Sequence, residues 1–227
     1  MTTMTPTQTD EVWAAIDDQR TRTADLLETL TDDQWQHPSL CAGWTVRHVA
    51  AHLTLQRQRF GDVASYVAQH PSLLRSVTLN RTIDDSAHLQ AQLPTEEIIG
   101  LIRAGVGSRR HNMLVTPLET LSDILVHSQD IAVPLHLELA MPPAACVTAA
   151  TRRWDTRRSW LSLVFRRLPL TGYRLTATDA DWTRGDGPEV AGPIGALLLL
   201  ITGRPAALDQ LTGPGADALR AVPSREA

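Results

Sequence analysis

Between residues 10 and 30 the apolar side chains Val12, Ile16, Leu26, Leu27 and Leu30 recur at helical rather than alternating intervals, with Asp and Arg between them. This pattern predicts a long first helix. Pro38, Ser39 and Gly43 then interrupt it, so residues 31–43 are expected to form a loop leading to Trp44. Thr45 stands where an N-cap belongs, and a second helix is predicted from Val46 to about residue 70, just before Pro71. Residues 71–93 are polar and weakly patterned, which predicts a connection with a helical turn in it. The run Pro94-Thr95-Glu96-Glu97 offers a helix start, with Thr95 as cap and two acids facing the positive end of the dipole, and a third helix is expected over 98–110. Pro117 opens a fourth over about 118–133, which Pro134 closes. Four such helices with short or medium joins predict a bundle.

Beyond Met141-Pro142-Pro143 the period changes. Residues 144–163 still read as helix, but 172–178 alternate like a strand, and Asp181-Trp182-Thr183 and Glu189-Val190 suit short partners across Gly-rich turns. The Leu-rich run over 193–202, ended by Gly203, predicts a buried helix. The expected fold is therefore mainly α: a helical bundle over residues 1–142 and a small α/β domain over 143–227, with no internal repeat.

Composition narrows the function. A chain of 227 residues with 43% hydrophobic and 20% charged residues can bury a sizeable core and does not read as disordered. Its formal charge of -4 and pI near 6.0 argue against a nucleic-acid binder, which would normally carry a basic stripe. All its basic residues other than His are Arg, which excludes Lys-centred chemistry such as a Schiff base or a P-loop. An Arg-only composition is associated with GC-rich genomes. The N-terminal MTTMTPTQTD lacks the basic and apolar regions of a signal peptide, and the longest apolar run, 194–201, is far short of the ~20 residues of a membrane span. A soluble cytoplasmic protein with no membrane partner is expected. Cys41 and Cys146 lie far apart with no CxxC pair, so neither a disulfide framework nor a Cys-rich zinc site is available, and any metal must come from His and carboxylates.

Two predicted helices carry ligand-type side chains four residues apart, the spacing that puts both on one helix face. They are His48 and His52 on the second helix, and Asp123 and His127 on the fourth. His52 flanks the stripe of Val46, Val49, Ala50 and Leu53, while His48 points farther from it. His127 flanks the stripe of Leu121, Ile124, Leu125 and Ile131, with Asp123 one turn before. Two such flanks facing each other in a bundle could enclose one ion, although each pair alone is also what chance supplies in a chain with eight histidines. His37, His70, His88, His111 and His136 fall in expected loops or helix ends, where solvation is the plainer reading. Trp44 reads as a packing residue.

The stretch Pro38-Ser39-Leu40-Cys41-Ala42-Gly43-Trp44-Thr45-Val46-Arg47-His48-Val49-Ala50-Ala51-His52-Leu53 resembles the N-terminal signature of the mycothiol-dependent maleylpyruvate isomerase family, within the superfamily of DinB-like metal-binding four-helix bundles. Asp123-Ile124-Leu125-Val126-His127-Ser128-Gln129-Asp130-Ile131 resembles that family's second metal block. Residues 173–182, Gly185-Asp186-Gly187 and the Leu-rich helix into Gly203-Arg204-Pro205 resemble its small C-terminal domain. The resemblance implies a DinB-like bundle holding a divalent ion, zinc or a nickel-like metal, on His52, Asp123 and His127. It also implies Glu where this chain has Asp123, and Asp, one methylene shorter, makes a tighter site or one tuned to another metal or substrate. His48 stands where many relatives carry Asp and is assigned to the surroundings of the site or the surface.

Two His and one carboxylate leave coordination positions open, as in catalytic zinc sites, though the same set suits Fe(II). The resemblance implies that the open position takes the sulfur of mycothiol, deprotonated by the cation, so that no protein Cys nucleophile is needed. The leading expectation is a thiol-dependent isomerase or S-transferase acting on an electrophilic small molecule. The other is a non-catalytic metal- or ligand-binding protein that works through a protein partner. Arg204 is the candidate catalytic residue, an anion binder from the C-terminal domain toward which the site is expected to open; its plainer reading is a helix-end Arg on terminal carbonyls. Asp130, three residues after His127, either orients a ligand or is an exposed helix-end acid.

Overall fold

In the computed structural model, which describes residues 4–57, 78–112, 115–157 and 170–221, the first helix, α1 (Pro6–Glu28), starts earlier than the apolar pattern predicts. Thr5 and Gln8 close a reciprocal capping box and Pro6 takes the first helical position. The loop expected over 31–43 contains a short helix, α2 (Asp32–Gln36), with its own box between Thr31 and Gln34 and with Trp35 buried. Its signal is the spacing of Thr31 and Gln34, which a search for Pro and Gly passes over. The second predicted helix is α3 (Val46–Thr54), continued by a 3-10 turn, Leu55–Arg57. Its expected extension to about residue 70, with His70, lies outside the described residues.

The connection expected over 71–93 is instead largely a helix, α4 (Leu79–Gln90), capped by Thr78, whose side chain accepts from the Arg81 amide. Its buried strip is narrow, Ala87 being fully buried, so an apolar period is faint. Polar contacts hold it beside α3: the Trp44 indole donates to Asp84 Oδ1 at 2.6 Å, and the Arg47 guanidinium donates to the carbonyls of Ala91, at 2.6 Å, and Leu93. In α5 (Thr95–Arg103) Pro94 is the cap and Thr95 the first helical residue. It stops short of the expected residue 110, and Gly107, at φ +77°, lies in the turns that follow. α6 (Pro117–Ala132) begins with a capping box between Thr116 and Glu119.

The chain divides into two compact units, Met1–Ala140 and Met141–Ala227. In the first, α1 and α3 each pack against both α5 and α6, the arrangement of a four-helix bundle, with α4 on α3. Ile16, Val49, Ala50, Ile98, Ile124, Leu125 and Ile131 are fully buried between them. Two polar side chains of α1 reach into this core on hydrogen bonds: Gln19 donates to Ser128 Oγ at 2.9 Å, and Arg20 to the Gly105 carbonyl at 2.8 Å.

The second unit opens with α7 (Pro143–Thr156), whose expected course to residue 163 falls largely outside the described residues. The strands β1 (Arg174–Ala177), β2 (Thr183–Arg184) and β3 (Glu189–Gly192) form a sheet in the order β2-β1-β3. β1 runs antiparallel to β2 and parallel to β3, and the cross-strand pair Leu175 and Val190 is buried. α8 (Ile194–Ile201) is the predicted Leu-rich helix and packs against α7. A 3-10 segment, Pro205–Gln210, and α9 (Pro214–Arg220) follow. The fold is thus mainly helical, a bundle with a small C-terminal α/β portion.

Two substitutions separate core from cap. Ile124→Ala is expected to cost about 2–5 kcal/mol, through lost burial and a residual cavity. Thr116→Ala, which opens the α6 capping box, should cost about 1 kcal/mol. Urea unfolding followed by helical circular dichroism reads both, and equal losses would contradict this ordering.

Candidate metal centre

α6 carries Asp123 and His127 one turn apart, and α3, packed against it, carries His52. Their donor atoms meet: His52 Nε2 is 3.7 Å from Asp123 Oδ2, His127 Nε2 is 3.3 Å from Asp123 Oδ1, and all three lie within 4.8 Å of one another. Directly bonded charged pairs sit closer, at about 2.7–2.9 Å. Ligands about 2.0–2.2 Å from a shared tetrahedral ion are instead roughly 3.3–3.6 Å apart. The spacing therefore fits one small cation better than a closed ion pair. The His52 and His127 rings meet edge to face, with centroids 4.9 Å apart.

Around this trio lies a set of hydrogen bonds. His127 Nδ1 is 2.8 Å from Asp130 Oδ2, which fixes the tautomer that donates to the carboxylate and leaves Nε2 free to ligate. Asp130 is wholly buried, so its reading as an exposed helix-end acid is corrected: the last turn of α6 faces the loop before α3, and Leu40 N–H donates to the Asp130 carbonyl. From that loop the Cys41 thiol donates to Asp130 Oδ2 at 3.1 Å, with its sulfur 3.7 Å from His127 Nδ1. On the other flank Gln56 Nε2 donates to Asp123 Oδ2 at 2.7 Å. The sequence reading missed Cys41 and Gln56 as neighbours of the site. Gln56 had a signal, standing four residues after His52, whereas Cys41 sits in a loop where no periodicity applies.

His48 lies apart from the trio. Its Nδ1 accepts from the Thr45 amide at 3.2 Å, closing the N-terminal box of α3, and its ring packs at a tilt against that of His88, with centroids 4.3 Å apart. Burial, and then the neighbouring His88, push its pKa down. His88 thus belongs to α4 rather than to a loop. Trp44 packs as expected, but against His52, with centroids 5.3 Å apart. His37 bonds the Pro38 carbonyl, His111 lies beside Trp13, and His136 adopts a left-handed backbone at φ 55°. In the second unit the Arg204 guanidinium donates to the Thr202 carbonyl at 2.6 Å, just past α8.

Electrostatics matches the geometry. Burial by itself raises the Asp123 carboxyl, yet the charge and contact of His127, and then of His52, hold it well below the usual carboxylate range. Burial likewise lowers the His127 imidazole, but Asp123, Cys41 and Asp130 outweigh it and hold it well above the ordinary value. A raised His127 pKa means that a cation must compete with a proton for this imidazole. Ion uptake is expected to release about one proton and to tighten as pH rises, which calorimetry in buffers of different ionisation enthalpy checks. Uptake without proton release would contradict the assignment of His127. Replacing His127 by Ala should remove most bound metal while keeping the helical signal, and His48→Ala should do far less; equal losses would exchange the roles of His48 and His52.

Comparison with known proteins bears on the family and the fold. A family model described as the mycothiol maleylpyruvate isomerase N-terminal domain matches residues 16–132. The crystal structure of the mycothiol-dependent maleylpyruvate isomerase is similar at 15% identity and a TM-score of 0.57, over 92% of this chain and 93% of that one. A His-to-Ala mutant of that isomerase is similar at 14% identity and a TM-score of 0.61, with the same coverage. At such identities the likeness is one of fold. No curated protein sequence matches the chain.

Proposed function

Since the chain belongs to the mycothiol maleylpyruvate isomerase N-terminal domain family, we propose that it is a divalent-metal enzyme that uses a small thiol, mycothiol, to isomerise or conjugate an electrophilic small molecule. The observation that carries this reading is the spacing of His52, Asp123 and His127, three donors set apart as ligands of one ion. Two imidazoles and a carboxylate suit catalytic zinc. A cation held there supplies the positive charge that turns a coordinated thiol into a thiolate.

The remaining work falls to the chain. Asp130 holds the His127 ring so that Nε2 faces Asp123, and Trp44 packs on the His52 ring and limits its rotation. Addition of the thiol to an activated double bond, rotation and loss of the thiol give cis/trans isomerisation; stopping after addition gives a conjugate. Arg204 is proposed as the residue that takes a carboxylate of the substrate or thiol, a role for which a guanidinium is suited. No helix among the described residues is long and apolar enough to cross a membrane, and both cysteines are free thiols. Free thiols suit the reducing cytoplasm, the location proposed for this chemistry.

Protein purified without an affinity tag is expected to carry close to one divalent ion per chain by elemental analysis. It should also turn over activated cis double bonds, or conjugate model electrophiles, only when mycothiol is present. An ion without turnover would replace the enzymatic reading by that of a binding protein. Arg204→Ala should weaken affinity for thiol or substrate with metal content unchanged. Parent-like kinetics in that variant would leave Arg204 as a helix-end residue only.

A further inference from the structure

Gln56 combines three properties that a residue chosen only for packing would not have. It is 8% exposed, in the 3-10 turn that continues α3, and its amide N–H reaches Asp123 Oδ2 at 2.7 Å, shorter than most neutral amide bonds. Its carbonyl Oε1 is buried with no hydrogen-bond partner among the described residues. An unpaired buried carbonyl costs stability, so an apolar side chain of the same length would serve the fold better at that point. The amide's one strong contact is to a proposed metal ligand. Its position, four residues after His52 on the same helical face, mirrors the spacing of Asp123 and His127.

We propose that Gln56 is a positioning residue of the metal centre, fixing the rotation of the Asp123 carboxylate through Oδ2. The inference rests on the metal reading above and deepens it. Asp123 has two oxygens with separate duties: Oδ1 faces His127 at 3.3 Å, and Oδ2 faces His52 at 3.7 Å and accepts from Gln56. The side chain of Asp is short, and its carboxylate can turn about the Cβ–Cγ bond. Without a donor on Oδ2 that rotation is restrained only by the two imidazoles, which are themselves occupied with the ion. Arg20 on α1 adds a weaker, longer-range attraction to the same carboxylate; its own pKa is lowered chiefly by burial, with Asp17 and, among the smaller influences, Asp123 opposing.

Gln56→Met keeps length and volume and removes the donor. Zinc affinity of the variant, measured by competition with a chromophoric chelator, should fall about 10–100-fold, as for other groups that orient metal ligands. The visible spectrum of the cobalt-substituted protein should shift, because the carboxylate that Gln56 holds is free to turn. Gln19→Met is the control: it removes another buried glutamine, also with an unpaired carbonyl, that bonds Ser128 rather than a ligand, and should leave zinc affinity at the parent value. If Gln56→Met fails to fold, Gln56→Asn decides in its place, since it keeps an amide but is one methylene too short to reach Asp123. Parent-like affinity and cobalt spectrum in the deciding variant overturn the proposal while the metal reading stands. A parent chain that takes up neither zinc nor cobalt overturns the metal reading, and this inference with it.

Discussion

Asp123 brings a carboxylate into the seam between α3 and α6, where burial by itself disfavours its charge. The groups around it are arranged to prevent that. His127 lies one turn further along the same helix, His52 faces it across the seam, and Gln56 donates to the oxygen that His127 does not face. The spacing survives only if α3 and α6 hold a fixed separation. Ala50 and Ala51 on α3 and Ile124 and Leu125 on α6 are all fully buried, and close packing of such a core leaves the helices little room to shift.

The loop ahead of α3 extends this control to both imidazoles. Its backbone is tied to itself by the Ser39 amide on the Trp44 carbonyl, at 2.9 Å, and by the Val46 amide on the His37 carbonyl, at 2.9 Å. Gly43, at φ +81°, makes the turn between, in a conformation that a β-branched or bulky residue would resist. One short rigid segment therefore presents Cys41 toward His127 and Trp44 toward His52. Trp44 in turn bonds Asp84 on α4, so the largely polar helix that periodicity does not reveal is tied to a side chain that touches the site.

What could be read in the sequence follows this division. Helices α1, α3, α5 and α6 bury broad apolar faces, and their existence showed as a repeating period even where their ends did not. α2 and α4 are specified by caps and polar contacts, at Thr31 with Gln34 and at Thr78 with Arg81, and a reading built on apolar spacing passes over both. His52, Asp123 and His127 were singled out because two ligand pairs at helical spacing coincided with a family resemblance, and the structure brings those three donors together. The sequence leaves both readings of Asp130 open, since a polar residue in the last turn of a helix usually faces water, and here the loop before α3 packs on it. Cys41 stands in the sequence only as part of the resembling stretch, because its place beside Asp130 depends on the fold of a loop that no periodicity reveals.

The bundle is expected to fold without a metal, unlike a small zinc domain, whose fold exists only with the ion. Its core is apolar and continuous across four helices, and His127 and Asp130 are already bonded to each other. Yet the first unit also keeps buried polar atoms without hydrogen-bond partners among the described residues, Gln19 Oε1, Arg20 Nη2 and Gln56 Oε1 among them. Local departures of this kind from what is best for stability concentrate where function constrains the sequence. Gln56 touches Asp123 directly and Arg20 feels its charge, so on the role proposed for Gln56 part of the core's stability goes into holding one carboxylate in a fixed orientation. A scaffold stable enough to carry that cost can present ligands already in place, with no ordering left to be done when an ion arrives.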